Sequence, residues 1–99
     1  AVAEESPVPV LLYNVTMYTG VTLPPDAVGL LAEHPNIVGM KESGSDASLL
    51  ADYIARSGPE FFVLAGSGVT YFSGLVAGAE GAVIALAGIV PDLCADIHD

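Results

Sequence analysis

Ninety-nine residues make at most one small domain. Two basic residues stand against twelve acidic ones, a formal net charge of −10, which argues against nucleic acid and against anionic membrane surfaces, since both call for clustered Lys and Arg. The chain is 53% hydrophobic and only 14% charged, an excess of core material that points to part of a larger barrel or to a chain that self-associates.

Residues 1–8 read as the end of an element followed by a loop, closed by Pro7 and Pro9. The acidic start is not a signal peptide, and no apolar run approaches the length of a membrane span. Val8 to Val15 forms a first strand, with Tyr13 and Asn14 near its end. Thr16 to Leu23 is a loop with Gly20 as its flexible point. Pro24 and Pro25 open a helix, Asp26 adds a carboxylate to its first turn, and Val28, Leu31 and Ala32 give it helical spacing. His34-Pro35 stops it. Asn36 to Lys41 is the second strand. Ser43-Gly44-Ser45-Asp46 is a loop ending in a helix N-cap, and the helix runs to about Arg56 with Leu49, Leu50, Tyr53 and Ile54 on its apolar side. Phe61 to Ala65 is the third strand, and Gly66-Ser67-Gly68 opens a helix through Phe72, Leu75 and Val76. Gly81 to Ala87 is the fourth strand, Gly88 to Pro91 a loop, and Pro91-Asp92 the start of a last helix.

The pattern is α/β, four consecutive strand–helix units spaced by roughly 20–28 residues. The strands are continuous apolar runs, as parallel strands covered on both faces should be. Half of an eight-fold βα barrel and a small doubly wound sheet both fit, and both place functional residues at the carboxyl ends of strands. Tyr13, Lys41, Ser67 and the Gly88 loop fall there.

Lys41 is the only lysine, and it ends an apolar strand. An ammonium there is costly unless paired or used. A desolvated lysine offers a free amine near neutral pH, which a Schiff-base nucleophile needs. The competing reading is a strand-end lysine reaching for water. Strand parity puts Gly39, Lys41 and Ser43 on one face, with Gly39 leaving space beneath the lysine stem, and Leu11, Tyr13 and Val15 on another. If both faces point inward, the Tyr13 hydroxyl and the Lys41 amine converge at the rim, where a phenol can pass protons. By the same parity Glu42 points away from Lys41. Gly66-Ser67-Gly68 reads as a weak anion loop, and not as a dinucleotide fingerprint, because Tyr71 stands where the third glycine should be. His34 reads as a capping or surface residue and His98 as exposed. Cys94, the sole cysteine, reads as a buried small apolar residue; alone it can form neither an intrachain disulfide nor a zinc cluster, and no other cluster suggests a metal.

Several stretches carry a family pattern: Leu12-Tyr13-Asn14-Val15, Thr19-Gly20, Leu23-Pro24, then His34-Pro35-Asn36-Ile37-Val38-Gly39-Met40-Lys41-Glu42-Ser43, Val63-Leu64-Ala65-Gly66-Ser67 and Gly78-Ala79-Glu80-Gly81-Ala82-Val83. Together they resemble the dihydrodipicolinate synthase and N-acetylneuraminate lyase family, class I pyruvate-dependent aldolases on a TIM barrel. The lysine strand with its lead-in and the Val63–Ser67 strand look most like 4-hydroxy-2-oxoglutarate aldolase. The resemblance covers nearly the whole chain and implies the C-terminal half of a (β/α)8 barrel, from its fifth strand to the start of its eighth helix, with residues 1–99 as one partial domain.

The resemblance implies roles at matching positions. Lys41 would form the Schiff base with pyruvate or another 2-oxo acid, and Tyr13 would relay protons. Gly66, Ser67 and Ser43 would bind substrate with Val83, for which Ile84 is the neighbouring alternative. It implies no metal and no organic cofactor, a small-molecule 2-oxo acid partner, neither nucleic acid nor membrane, and a homo-oligomer, a tetramer in the family. The setting would be cytoplasmic, or mitochondrial if a targeting segment is missing.

There are departures. Thr16 replaces the usual proline, Tyr18 stands where true dihydrodipicolinate synthases carry an arginine for a substrate carboxylate, and Gly88 replaces an asparagine. The first half of a barrel, with its Gly-Thr-Thr-Gly-Glu-like carboxylate loop and a tyrosine from a neighbouring subunit, is absent, so the chain reads as a fragment inactive alone. A 4-hydroxy-2-oxoglutarate-like substrate is therefore expected. The alternatives are condensation of pyruvate with aspartate semialdehyde and a non-catalytic half-barrel that pairs with another copy. A small nucleotide-binding domain is an outsider.

Overall fold

The computed structural model describes residues 2–84, 88 and 90–99. Four strands form one sheet: β1 (Val10–Asn14), β2 (Ile37–Glu42), β3 (Phe62–Ala65) and β4 (Gly81–Ala82). Their order in the sheet is their order in the chain, and every neighbouring pair is parallel. Consecutive strands of a βα barrel have this order. A doubly wound sheet would reverse it at a switch point, and the described strands contain none.

A short α1 (Val2–Glu5) precedes the sheet, and α2 (Thr16–Thr19) is a single turn inside the stretch expected to be a loop. The connecting helices are α3 (Pro25–Leu31), α4 (Ala47–Ser57) and α5 (Tyr71–Ala77), and α6 (Pro91–His98) follows β4. The local signals are physical. Pro25 takes the first turn of α3, where no N–H is needed. Asp46 caps α4 by accepting from the N–H groups of Ser48 and Leu49 at 2.9 and 3.1 Å. Arg56 of α4 ion-pairs with Asp26 of α3 on the surface.

Val28 of α3 and Leu50 and Tyr53 of α4 pack onto Ile37, Met40, Val63 and Ala65 of the sheet, forming the core. Cys94 is buried as expected, and the Tyr71 hydroxyl donates to its carbonyl at 2.6 Å. The other face of the sheet lacks such cover. Leu11, Tyr13 and Val83 are 49%, 56% and 55% exposed. The expectation of cover on both faces therefore holds for one face among the described residues.

Two expectations are corrected. The Gly66-Ser67-Gly68 segment does not open the helix, because α5 begins at Tyr71 and Thr70 stands as its N-cap. Instead Ser67 accepts from the backbone N–H of Thr70 and, through its hydroxyl, from that of Val69, which makes a turn. The expected fourth strand, Gly81 to Ala87, is a strand only at Gly81 and Ala82; Val83 and Ile84 continue outside regular structure, and residues 85–87 lie outside the described ones.

The ladder between β1 and β2 carries an irregularity. Val10 stands opposite Ile37, but Leu11 stands opposite Gly39, so Val38 is extra. Such a bulge exchanges the faces of everything beyond it. Ile37 and Met40, three residues apart, both reach the core as a result.

Gly39 faces the open side, and its neighbour there is Phe62. A Cβ at Gly39 would lie 2.6 Å from the Phe62 carbonyl oxygen and 2.7 Å from its ring carbons. The space expected beneath the lysine stem is thus filled by an aromatic ring from β3. Gly39→Ala should force β2 and β3 apart and lower the unfolding free energy by about 1–3 kcal/mol, read as a lower urea midpoint. An unchanged midpoint would show that the strands part without cost.

Candidate active site

Beyond the bulge, Tyr13 stands opposite Lys41 and Asn14 opposite Glu42. Adjacent residues on a strand point to opposite faces. The first pair therefore lies on the open face and the second on the helix-covered face. The Lys41 Nζ donates to the Tyr13 hydroxyl at a long 3.5 Å and lies 4.6 Å from the centre of its ring. A cation over a phenol ring is attracted by the ring's quadrupole, so the two side chains hold each other. Lys41 is partly buried, not sunk in a closed pocket as a fully desolvated amine would be.

Ser43 follows on the same face. Its Oγ is buried and has no hydrogen-bond partner of normal geometry among the described residues. It lies close to the phenol all the same. The Ser43 hydroxyl, and after it Lys41, favour the phenolate, so Tyr13 titrates below the ordinary tyrosine value. Gly66, at the end of β3, completes the cluster. A Cβ there would stand 2.2 Å from Ser43 Oγ and 2.8 Å from Lys41 Cε, so only glycine fits beside the lysine.

The other expected site residues are placed less directly. The Ser67 hydroxyl is occupied within its own turn. Val83 donates its N–H to Ala65 at 2.9 Å and, by alternation from Gly81 opposite Leu64, falls on the open face. Ile84 therefore alternates to the other side. Gly88 is exposed. His34 Nδ1 accepts from the N–H of Asn36, and His98 Nε2 contacts the Glu80 carbonyl, so both imidazoles serve local structure. Among the described residues no group of carboxylates, Cys and His is arranged to hold a metal.

Behind the pair lies a polar cluster that the sequence reading did not assemble. Asn14, Glu42 and Tyr53 are 2%, 1% and 0% exposed. The Asn14 amide donates to Glu42 Oε2 at 2.8 Å and to the Tyr53 hydroxyl at 3.3 Å, while its Oδ1 accepts from the Leu23 N–H at 3.1 Å. Tyr53 donates to the Leu23 carbonyl at 2.6 Å. Glu42 Oε1 accepts from the Gly44 N–H at 2.8 Å. The signal for this cluster was parity: residues adjacent to Tyr13 and Lys41 must meet on the reverse face. The site of Tyr53, one helix away, had no such signal.

Fold and site together define a parallel α/β protein with a lysine and a tyrosine in contact at the carboxyl end of its sheet, where such sheets carry their ligand sites. The profile of the Dihydrodipicolinate synthetase family matches residues 1–99. A 4-hydroxy-tetrahydrodipicolinate synthase of Exiguobacterium sp. strain AT1b is 41% identical over 91 residues, which are 92% of this chain and 31% of that protein. The enzyme of the same name from Geobacter sulfurreducens is 36% identical over 99 residues, 100% of this chain and 34% of that protein. Among solved structures, YagE, a prophage protein of the dihydrodipicolinic acid synthase family from E. coli K12 in complex with pyruvate, superposes with a TM-score of 0.90 at 32% identity, over 96% of this chain and 33% of that one. The chain belongs to the dihydrodipicolinate synthetase family. It spans about a third of the length of the curated relatives it matches.

Burial and the Glu42 carboxylate push the Tyr53 phenol up from 10.0 to about 12. A phenol that binds its proton more tightly when folded stabilises the fold fully below the unfolded value of 10.0. That contribution is lost as pH rises through about 12. Stability to urea should therefore fall across this alkaline window. Tyr53→Phe should lose some stability at neutral pH, where its hydrogen bonds disappear, and show a flatter alkaline fall. An alkaline fall of the same size in the variant would assign it to other groups.

Proposed function

We propose that this chain supplies the amine and the proton relay of a class I pyruvate-dependent aldolase or lyase, working within a complete (β/α)8 barrel of which it forms the C-terminal half. The observation that carries the reading is the Lys41–Tyr13 contact, 3.5 Å between Nζ and the hydroxyl, on the open face at the strand ends. The Lys41 amine adds to the 2-oxo carbon, the carbonyl oxygen leaves as water, and an iminium remains. In the cleavage direction the bond between the third and fourth carbons breaks. Its electron pair enters the iminium to give an enamine, while Tyr13 takes the proton of the 4-hydroxyl. The reverse steps join pyruvate to an aldehyde. Ser43, Gly66, Ser67 and Val83 bind or line the substrate in this reading, and the Ser43 hydroxyl, which has no partner of normal geometry among the described residues, supports a role as donor to it.

The open sheet face supports the barrel. Leu11, Tyr13 and Val83 are exposed there, and further strands would cover them. The chain's one-third share of its relatives' length agrees. Covering that face with a second copy instead is the non-catalytic alternative, and a homo-oligomer of complete barrels is the expected assembly.

Two substrates compete. The relatives' names favour condensation of pyruvate with aspartate semialdehyde. Tyr18 counts against aspartate semialdehyde: it is 83% exposed and stands where an arginine for the semialdehyde carboxylate was expected. The lysine strand and its lead-in, which resemble 4-hydroxy-2-oxoglutarate aldolase, favour a 4-hydroxy-2-oxoglutarate-like substrate. We assign the second substrate.

Treating the complete protein with pyruvate and borohydride should add the reduced pyruvyl group to Lys41, seen by mass spectrometry, and Lys41→Ala should abolish both the adduct and turnover. Tyr13→Phe should lower turnover on the order of 100-fold or more. Turnover with aspartate semialdehyde exceeding that with 4-hydroxy-2-oxoglutarate would reverse the substrate assignment. An unmodified Lys41 would end the imine reading.

A further inference from the structure

We infer that Glu42 is a positioning residue for the Lys41–Tyr13 pair, holding it from the reverse face of the same two strands through Asn14 and the Gly44 backbone. The inference rests on the function proposed above.

The register carries the argument. Tyr13 faces Lys41 only because Val38 is extra in the ladder. Without that bulge the pairing of Val10 with Ile37 would continue, and Tyr13 would stand opposite Met40 and Asn14 opposite Lys41. Backbone hydrogen bonds alone discriminate poorly between such registers. The Asn14–Glu42 bond of 2.8 Å belongs to the observed one, in which the two residues stand opposite each other. It joins the residues that directly follow Tyr13 and Lys41, so it sits behind their contact.

The second carboxylate oxygen extends the control. Oε1 accepts the Gly44 N–H at 2.8 Å and so fixes the turn just after Ser43. Three front-face groups, Tyr13, Lys41 and Ser43, are thus indexed to one buried carboxylate. That carboxylate has no ion-pair partner among the described residues. The only other Lys or Arg in the sequence, Arg56, pairs with Asp26. An apolar pair at this place would join the strands with less desolvation, so the carboxylate serves register more than stability.

Glu42→Gln tests this in the complete protein, because it keeps the shape but can accept from only one of the two facing donors. Two readouts apply. The rate of borohydride trapping of saturating pyruvate should fall about 10-fold or more while half-saturation changes little, as expected for a misplaced amine. In carbon-13 tyrosine NMR, with Tyr13 assigned through Tyr13→Phe, the Tyr13 phenol should titrate closer to the ordinary value as Lys41 and Ser43 draw away. Asn14→Ala breaks the link from the other side without adding a mismatched donor. It carries the same expectation and stands in if the glutamine variant does not fold. Val28→Ala loosens the same core under α3 without touching the network and should leave both readouts unchanged.

Wild-type values in Glu42→Gln, or equal losses in Val28→Ala, would overturn the inference. If the wild-type protein traps no pyruvate, the proposed function fails, and the Tyr13 titration still decides whether Glu42 positions the pair.

Discussion

The Glu42 carboxylate lies between β1, β2 and α4 with almost no exposure and no ion-pair partner among the described residues. A buried charge survives only if its lone pairs are met by donors. Here the Asn14 amide and the Gly44 N–H meet them. Asn14 then uses its remaining groups on Tyr53 and Leu23, and Tyr53 closes the circuit by donating to the Leu23 carbonyl. Leu23 ends the segment that leaves β1 and leads into α3. One set of hydrogen bonds therefore ties two strands, a helix and a connecting segment at the carboxyl end of the sheet. The apolar core of Met40, Leu50, Val28 and Val63 supplies the bulk of the burial beneath it. Apolar packing tolerates slippage better than a circuit in which each donor has one acceptor. The polar circuit therefore sets register, and the core sets stability.

The sheet's other face has no such completion. Leu11 and Tyr13 of β1 and Val83 beyond β4 are exposed on it, while α3 and α4 cover the face behind. Continuous apolar strands pay off only when both faces are covered. Core material in excess for 99 residues and an open apolar face are thus one observation made twice, first in composition and then in space. The closed barrel proposed above would resolve both, because the interior of a βα barrel is formed by the inward faces of all its strands.

Much of this was legible in the chain. The alternation of apolar runs with capped helical stretches gave the four strands, and Asp46 and Pro25 open their helices where they should. The convergence of Tyr13 and Lys41 follows from parity at the strand ends, but parity counted from the first observed pair, Val10 and Ile37, fails. Ile37 shares the core with Met40, which only the Val38 bulge allows, and nothing in a run of Ile, Val, Gly and Met marks a bulge. Gly39 marks empty space in the sequence alone, because nothing local shows that Phe62, more than twenty residues on, fills it. Gly66-Ser67-Gly68 resembles a helix start because glycines next to a strand often serve one, whereas Ser67 bonds back into its own turn. The role of Gly66 comes from the close approach of Ser43 and Lys41, a fact of packing between strands and not of local sequence.

The two faces of β2 now explain each other. On the covered face every polar group named above is satisfied, and leaving one bare would cost about 1–3 kcal/mol. On the open face, among the described residues, Ser43 Oγ has no hydrogen-bond partner of normal geometry and Lys41 has a long contact with Tyr13. Satisfied groups resist motion and displacement, while unsatisfied ones gain from a ligand that brings the missing acceptor. A strand that spends its hydrogen bonds on the reverse side keeps those on the front for something that arrives later. The 2-oxo acid proposed above would bring a carboxylate acceptor and an electrophilic carbonyl to this cluster together, and a hydroxyl, an amine and a phenol crowded against a glycine would then act as one site.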